Sequence, residues 1–176
     1  MRTGILVCGL NGAGKSTLGR TLAQRLGFYF IDNEDLYFPK TDPEYLYAVS
    51  RTQEEVEKLL LQEITAHERF VFAAVHGNYG EVTYPFFHYA VLLQVPREVR
   101  LERVRNRSFQ KFGNRMLPGG DLYQQEQHFF DFVRSRAEDT VENWIPCLRC
   151  PVIRLDGTRS VEENIDLIIA YMQNKP

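Results

Sequence analysis

The sequence is poor in cysteine, with only Cys8, Cys147 and Cys150 among 176 residues. So small and odd a number does not suggest a disulfide framework and is typical of a reducing compartment. The last two have C-x-x-C spacing, but a zinc site needs two further ligands of comparable spacing, and no second pair exists. We therefore predict a structural role for this pair, because free cysteine usually behaves as a small buried hydrophobe.

The sequence also lacks an excess of charge and long apolar runs. Lys and Arg number 21 against 23 Asp and Glu, and the resulting net charge of -2 gives no electrostatic footprint for nucleic acid or an anionic membrane. No apolar run approaches the roughly 20 residues that span a bilayer, and residues 1–8 lack the long apolar region of a signal peptide. We expect a cytoplasmic protein without nucleic-acid or membrane partners, and no pattern indicates its oligomeric state.

Repeats, low-complexity tracts and linkers rich in Pro, Gly or Ser are absent as well. Hydrophobic residues make up 44% and charged residues 25%, which is close to the average of soluble domains. We predict a single domain over residues 1–176, since this length is typical of one domain.

Short apolar runs alternate with amphipathic segments along the chain. The runs that predict strands are residues 3–8, 28–31, 70–75, 89–95 and 152–155. The predicted helices are residues 18–26 closed by Gly27, one opened by the capping box of Thr52 and Glu55, one from Pro96, a long one over about 123–144, and one opened by Ser160 and Glu163. This alternation predicts a doubly wound α/β domain.

Two segments break the alternation. The acidic residues 32–35 predict a loop after the second strand, at the sheet edge where open α/β folds bind ligands. Residues 107–122 contain two adjacent glycines, a proline and several cations without apolar periodicity, and they predict a mobile lid.

Residues 9–17 read G-L-N-G-A-G-K-S-T and match G-x-x-x-x-G-K-[ST] in full, between an apolar strand and an amphipathic helix. The glycines let backbone N–H groups converge on phosphate oxygens, and the helix dipole adds positive potential. In the usual arrangement Lys15 bridges the β- and γ-phosphates, and the Ser16 hydroxyl ligates Mg²⁺. We predict that ATP with Mg²⁺ is held by Gly9, Leu10, Asn11, Gly12, Ala13, Gly14, Lys15, Ser16 and Thr17.

This loop does not by itself name a reaction, because GTPases, motor ATPases and small-molecule kinases share it. An N-K-x-D segment for guanine recognition is absent, and the third strand leads to His76 rather than to the Asp-Glu pair of mechanical ATPases. The chain resembles the small P-loop kinases, which include nucleoside monophosphate, shikimate and gluconate kinases. Over nearly the whole length, the resemblance rests on G-L-N-G-A-G-K-S-T, L-G-F-Y-F-I-D-N-E-D, V-R-L-E-R-V-R-N-R and I-R-L-D-G-T-R-S-V-E-E-N.

The resemblance implies a five-stranded parallel sheet in the order 2-3-1-4-5, a lid that closes over ATP and a separate region that grips the acceptor. Asp32 corresponds to the place where shikimate-type kinases carry acidic residues, and it is a candidate base or holder of the metal's water shell. The alternative for Asp32 is a carboxylate that only caps a turn. Arg103 and Arg107 share one helix face, where the family stacks one arginine on adenine and places the next on phosphate.

An arginine-rich helix also fits a solvated face, and Arg97, Arg100 and Arg105 favour that alternative. Beyond the helix, Arg115 is a candidate to add charge to the transferring phosphoryl group when the lid closes, and Arg134 and Arg136 are further candidates.

The segment H-G-N-Y-G, residues 76–80, departs from the family's signatures at the third strand, so the acceptor cannot be carried over. His76 is either an acceptor-site residue or a hydrogen-bonded histidine that closes the strand. Aromatic residues near the expected acceptor region fit either ring stacking or core packing. They are Tyr37, Phe38, Tyr45, Tyr47, Tyr79 and Tyr84.

These patterns predict an ATP-dependent kinase whose small-molecule acceptor is a nucleoside, a nucleotide or a small hydroxy acid. The alternative is a nucleotide-gated regulatory ATPase. A kinase that acts on nucleic-acid ends is disfavoured, since the acidic balance gives no general grip on phosphates.

Overall fold

Five parallel strands form one sheet, and the computed structural model describes residues 2–174 of the chain. The strands are β1 (Thr3–Cys8), β2 (Tyr29–Asp32), β3 (Arg69–Ala73), β4 (Phe87–Gln94) and β5 (Val152–Asp156). Their order is β2-β3-β1-β4-β5, and every neighbouring pair is parallel. The predicted fold class and strand order are thus confirmed.

Between β3 and β4 the chain forms only a 3-10 turn, whereas α-helices lie between the other consecutive strands and after β5. They are α1 (Lys15–Leu26), α2 (Asn33–Tyr37), α3 (Gln53–Ala66), α4 (Arg97–Phe112), α5 (Tyr123–Ser135), α6 (Thr140–Trp144) and α7 (Val161–Gln173). Short 3-10 turns lie at Glu81–Phe86, Gly113–Met116 and Ile145–Cys147. Both predicted capping boxes are present, at Thr52 before α3 and at Ser160 before α7.

The central strand β1 is buried on both faces, as its continuous apolar sequence requires. Leu6 and Cys8 belong to one core cluster, which includes buried residues of α3 and α6. Ile5 and Val7 belong to the other, which includes buried residues of α1 and α7. Successive side chains point to opposite faces of a strand, so β1 holds both layers in register and delivers residue 9 to the middle of the sheet edge.

The C-x-x-C pair does not share one environment. Cys150 is half-buried and packs against the core, whereas Cys147 is exposed. All three cysteines are free thiols, with Cys8 buried.

Two predictions of local structure are wrong. Residues 33–37 form the short helix α2 rather than a loop, because Asp32 caps its first turn and Leu36 buries its apolar side. The predicted helix over 123–144 is two helices, α5 and α6, with a break at residues 136–139. The break lets α5 pack on α4 while Val141 of α6 reaches the sheet core.

The predicted lid is more regular than expected. Helix α4 continues to Phe112, and a 3-10 turn follows it, because Phe112 and Met116 pack with Val104 and Phe130 in a small third cluster. Its closure over a ligand stays a prediction. Within residues 2–174, no helix combines the length and apolar character needed to cross a membrane.

Candidate active site

A cavity of about 640 Å³ opens at the carboxyl edge of the sheet. The loop after β1, helix α2 after β2 and the segment after β3 form its base, and α4 and α5 form the opposite wall. This is the edge at which open α/β sheets bind ligands. The phosphate loop and the acceptor region predicted from sequence therefore face one shared space.

The loop of residues 9–17 has the backbone that a phosphate cradle needs. Gly12 and Gly14 have φ of 83° and 96°, a region that favours glycine, and Gly14 caps the start of α1. A Cβ on Gly12 would lie 2.4 Å from the carbonyl oxygen of Arg100, so only glycine fits there. These features fit a loop whose backbone N–H groups can converge on a phosphate ligand. The side-chain oxygen of Asn11 is buried without a hydrogen-bond partner, and as an acceptor it would not bind a phosphate oxygen.

Lys15 lies at the base of the cavity and donates from Nζ to the carbonyl oxygen of Leu10 at 3.0 Å. Its pKa is lowered to about 8, chiefly because burial disfavours the charged ammonium and secondly because of the nearby cation Arg107. The carboxylate of Asp32 acts in the opposite direction on this pKa. Lys15, Arg107 and Asp32 are thus close enough to interact electrostatically.

Asp32 caps a turn, as one alternative predicted, and it also faces the cavity, while its part in the reaction stays a prediction. Its carboxylate accepts the backbone N–H of Glu34 at 3.1 Å as the cap of α2, and it also lines the cavity. Arg20 approaches it at 3.9 Å, a loose ion pair with an exposed partner. The cap therefore fixes the side chain at the end of β2 while it still faces the ligand space.

The three arginines that the sequence singled out lie in different places. Arg107 lines the cavity. Arg103 donates to the carbonyl oxygen of Gly157 at 3.1 Å, beside the phosphate loop, where a Cβ on Gly14 would be 4.0 Å away. Arg115 is paired with Asp121 at 2.6 Å and is not among the described residues that line the cavity. The structure brings Arg107 to Lys15 but leaves Arg115 outside.

Arg100 is not on a solvated face, contrary to the alternative reading of α4. It is 3% exposed and donates to the carbonyl oxygens of Val95 at 3.1 Å and Asn11 at 3.3 Å. It also binds both carboxylate oxygens of Glu138, at 2.6 and 2.8 Å. The signal in the sequence was the spacing of Arg100, Val104 and Ser108, which form the buried stripe of α4.

Aromatic rings line the part of the cavity where the sequence predicts the acceptor region. Tyr45 and Tyr47 meet edge to face at 5.7 Å, and both lie within 6.2 Å of the Phe112 ring. The hydroxyl of Tyr45 donates to Glu126 at 2.9 Å, which joins the segment before α3 to α5. Cavity residues that sequence reasoning did not identify include five that only the packing of α4 against α5 places there, namely Lys111, Phe112, Glu126, Phe129 and Phe132.

Arg136 ends α5 and lines the cavity. Its guanidinium stacks 4.8 Å from the centre of the Phe132 ring, and burial lowers its pKa. Among the residues described, no carboxylate lies within ion-pair distance of it. A half-buried cation without a counter-charge is a site for an anionic ligand group.

The segment after β3 is held rigidly. Asn78 accepts the hydroxyl proton of Tyr84 at 2.9 Å, and the indole N–H of Trp144 donates to the same hydroxyl at 3.2 Å. A Cβ on Gly77 would lie 3.0 Å from the Trp144 ring, so a side chain here would push this ring out of its present position. His76, at the start of the segment, lines the cavity.

The donor set also suits magnesium. No group of three or more His, Cys, Asp or Glu side chains that could hold a metal occurs in residues 2–174. Mg²⁺ at nucleotide sites needs less, since it keeps several waters and takes one or two protein ligands together with phosphate oxygens. Ser16 and Asp32 both line the cavity and fit that requirement.

Comparison with known proteins agrees with this geometry. Residues 5–115 match the family described as AAA domain. The protein YqaC of Bacillus subtilis, described as uncharacterized, is 32% identical, and the alignment covers 99% of each chain. A shikimate kinase of Thermosynechococcus vestitus is 29% identical over 84% of this chain and 92% of its own.

The fold has a solved counterpart of matching length. The structure of a shikimate kinase from Bacteroides thetaiotaomicron superposes with a TM-score of 0.61, at 16% identity, and covers 98% of this chain and 99% of that one. At this identity the likeness shows the fold alone.

Proposed function

The chain belongs to the AAA-domain family and to the superfamily of small P-loop kinases, and from this premise we propose that it transfers the γ-phosphoryl group of Mg²⁺-ATP to a hydroxyl group of a small molecule. The observation that carries the proposal is that Lys15 and Asp32 line one cavity whose other half is an aromatic acceptor region. A kinase needs its phosphate loop and its acceptor to share one space.

The phosphate end of the cavity supplies positioning and positive charge. Backbone N–H groups of residues 12–16 and the start of α1 hold the triphosphate, and Lys15 leaves its contact with Leu10 to bind phosphate oxygens. Ser16 presents its hydroxyl to Mg²⁺, which neutralises phosphate charge when bound. Arg107, whose charge already influences Lys15, stabilises the charge that develops on the transferring group.

Asp32 acts on the acceptor. Its backbone is fixed by β2 and its side chain by the cap of α2, so the carboxylate orients the attacking hydroxyl and accepts its proton. Arg103, which donates a hydrogen bond to Gly157, contacts the adenine end of the nucleotide.

The acceptor carries an anionic group that binds Arg136. This cation lines the cavity without a carboxylate partner among the described residues, and a carboxylate or phosphate would restore the charge balance. The requirement favours a small hydroxy acid or a nucleotide over a neutral nucleoside.

The test measures ADP release from Mg²⁺-ATP with a panel of shikimate, gluconate, nucleosides and nucleoside monophosphates. We expect at least one anionic member to raise the rate over the rate without acceptor, and Lys15→Ala to abolish that increase. A panel in which no compound raises the rate, or in which only neutral nucleosides do, would contradict the proposal.

A further inference from the structure

His76 is a cavity residue to which the phosphoryl transfer proposed above assigns no role. It lies three residues beyond the end of β3, in the acceptor half of the site. Its ring centre is 5.8 Å from that of Trp144 and 6.5 Å from that of Tyr79. Arg136 is close enough for its charge to act on the imidazole.

The hydrogen bonds of His76 determine where its proton lies. The backbone N–H of Asn78 donates to Nδ1 of His76 at 3.3 Å. A backbone N–H can only donate, so Nδ1 is the acceptor and the neutral ring carries its proton on Nε2. No residue in the described part of the chain forms a hydrogen bond with Nε2, which leaves that N–H group free for a ligand.

The surroundings disfavour the protonated ring. Burial lowers the pKa of His76, the positive charge of Arg136 lowers it further, and a contact with the residue's own backbone acts in the opposite direction more weakly. Protonation would place a second cation beside Arg136 and would replace the acceptor at Nδ1 with a donor, which breaks the contact with Asn78. His76 is therefore poorly suited to act as a general base.

The ring is also held in place before any ligand binds. Gln53 donates to the carbonyl oxygen of Asn78 at 3.2 Å, and Asn78 is anchored through Tyr84 to Trp144. Polar groups held by such contacts lose little freedom on binding.

We propose that His76 determines acceptor specificity by donating its Nε2–H to an oxygen of the acceptor, beside the anionic group that Arg136 binds. This inference rests on the proposed kinase function. The Nε2–H of His76 and the guanidinium of Arg136 can only donate hydrogen bonds toward the ligand. This part of the cavity therefore binds an anionic group with acceptor oxygens, such as a carboxylate or a phosphate, and rejects an ammonium group.

Two substitutions separate a donor from a base. His76→Gln places an amide N–H group near the position of Nε2 but cannot accept a proton at neutral pH, whereas His76→Asn reaches only the position of Nδ1. His128→Gln, at an exposed residue of α5 outside the cavity lining, is the matched control.

The first measurement is steady-state turnover. Shikimate is the first substrate tested, and the most active acceptor of the panel is used if it is a different compound. We expect His76→Asn to raise the KM for the acceptor by about tenfold or more, the scale of one lost hydrogen bond to a charged group, without changing the KM for ATP. His76→Gln keeps kcat and an acceptor KM within a few-fold of the wild type. Equal loss of kcat in both variants would overturn the inference in favour of a base.

The second measurement does not depend on turnover. Nitrogen NMR of the ¹⁵N-labelled full chain reports which ring nitrogen of His76 carries the proton, and we expect Nε2 at neutral pH. A proton on Nδ1, or unchanged kinetics in His76→Asn of an active enzyme, would overturn the inference. Failure of the kinase proposal would give a different result, since the wild-type protein would then show no acceptor-dependent ADP release.

Discussion

At the scale of single residues, we expect Lys15 to serve both ATP binding and phosphoryl transfer. Lys15→Ala should abolish phosphoryl transfer and weaken ATP binding while the fold persists, since the ammonium contacts a loop carbonyl rather than the core. Turnover and calorimetric ATP binding measure the first two effects, and circular dichroism checks the third. Unchanged turnover would contradict the assignment of the phosphate loop.

The lowered pKa of Lys15 makes ATP binding dependent on pH. The free protein loses the Lys15 proton near pH 8, whereas an unfolded chain keeps it to about 10.5. Burial of the charged lysine thus lowers the free energy of unfolding of the unliganded protein at low pH. The free energy of unfolding rises between pH 8 and 10.5, because the unfolded chain binds more protons than the folded one in this range. Bound triphosphate favours the charged form, so ATP affinity should fall as the pH rises above about 8.

Calorimetry in buffers of different ionisation enthalpy measures the accompanying proton uptake. Lys15→Arg is the control, because a guanidinium stays charged and should remove the pH dependence. An affinity that is constant from pH 7 to 10 would contradict the effect.

A substitution of Asp32 should distinguish ATP binding from phosphoryl transfer. Asp32→Asn should keep ATP affinity within a few-fold yet reduce acceptor-dependent turnover by about 10²-fold, the scale of a positioned acid or base. The control is Asp35→Asn, since Asp35 is exposed, pairs with Lys40 and lies outside the cavity lining. Full activity in Asp32→Asn would remove Asp32 from the reaction.

At the scale of elements, the segment of residues 107–122 connects the two walls of the cavity. Lys111 lies 3.6 Å from Glu34, and Arg115 lies 3.6 Å from Glu44, so the segment already touches the acceptor side through exposed ion pairs. Such pairs are weak. Hydrogen exchange over residues 107–122 should slow when a non-hydrolysable ATP analogue and Mg²⁺ are added, with helix α7 as the unaffected reference. Equal protection with and without the analogue would rule out a lid.

The sequence predicted those elements whose signals are local. The capping boxes at Thr52 and Ser160 marked the starts of α3 and α7 because one side chain and one backbone group three residues apart suffice. The break after Ser135 carries no such signal, since it depends on where α5 and α6 pack. The same holds for the site: the phosphate loop is contiguous in sequence, whereas Glu126 and Phe132 reach the cavity only through tertiary packing.

At the scale of the whole molecule, Arg100 joins α4, the phosphate loop and the chain after α5. Arg100→Met should reduce the free energy of unfolding by about 1–3 kcal/mol, because the carbonyl oxygens of Val95 and Asn11 lose a buried donor. Urea denaturation measures the change. Arg97→Met is the matched control, since Arg97 also binds Glu138 but is exposed, and its loss should cost less than about 1 kcal/mol. Equal effects of the two substitutions would contradict this account.

The parallel sheet also sets the order in which the site can form during translation. Strand β1 leaves the ribosome before its partners β3 and β4, which begin at Arg69 and Phe87. The loop that follows it is closed by bonds from Gly9 to Val75 and from Arg100 to Asn11. A nascent chain that ends before Arg100 contains the complete glycine-rich motif but lacks the strands and side chains that fix its conformation. We therefore expect nucleotide to bind only chains that extend past Arg100.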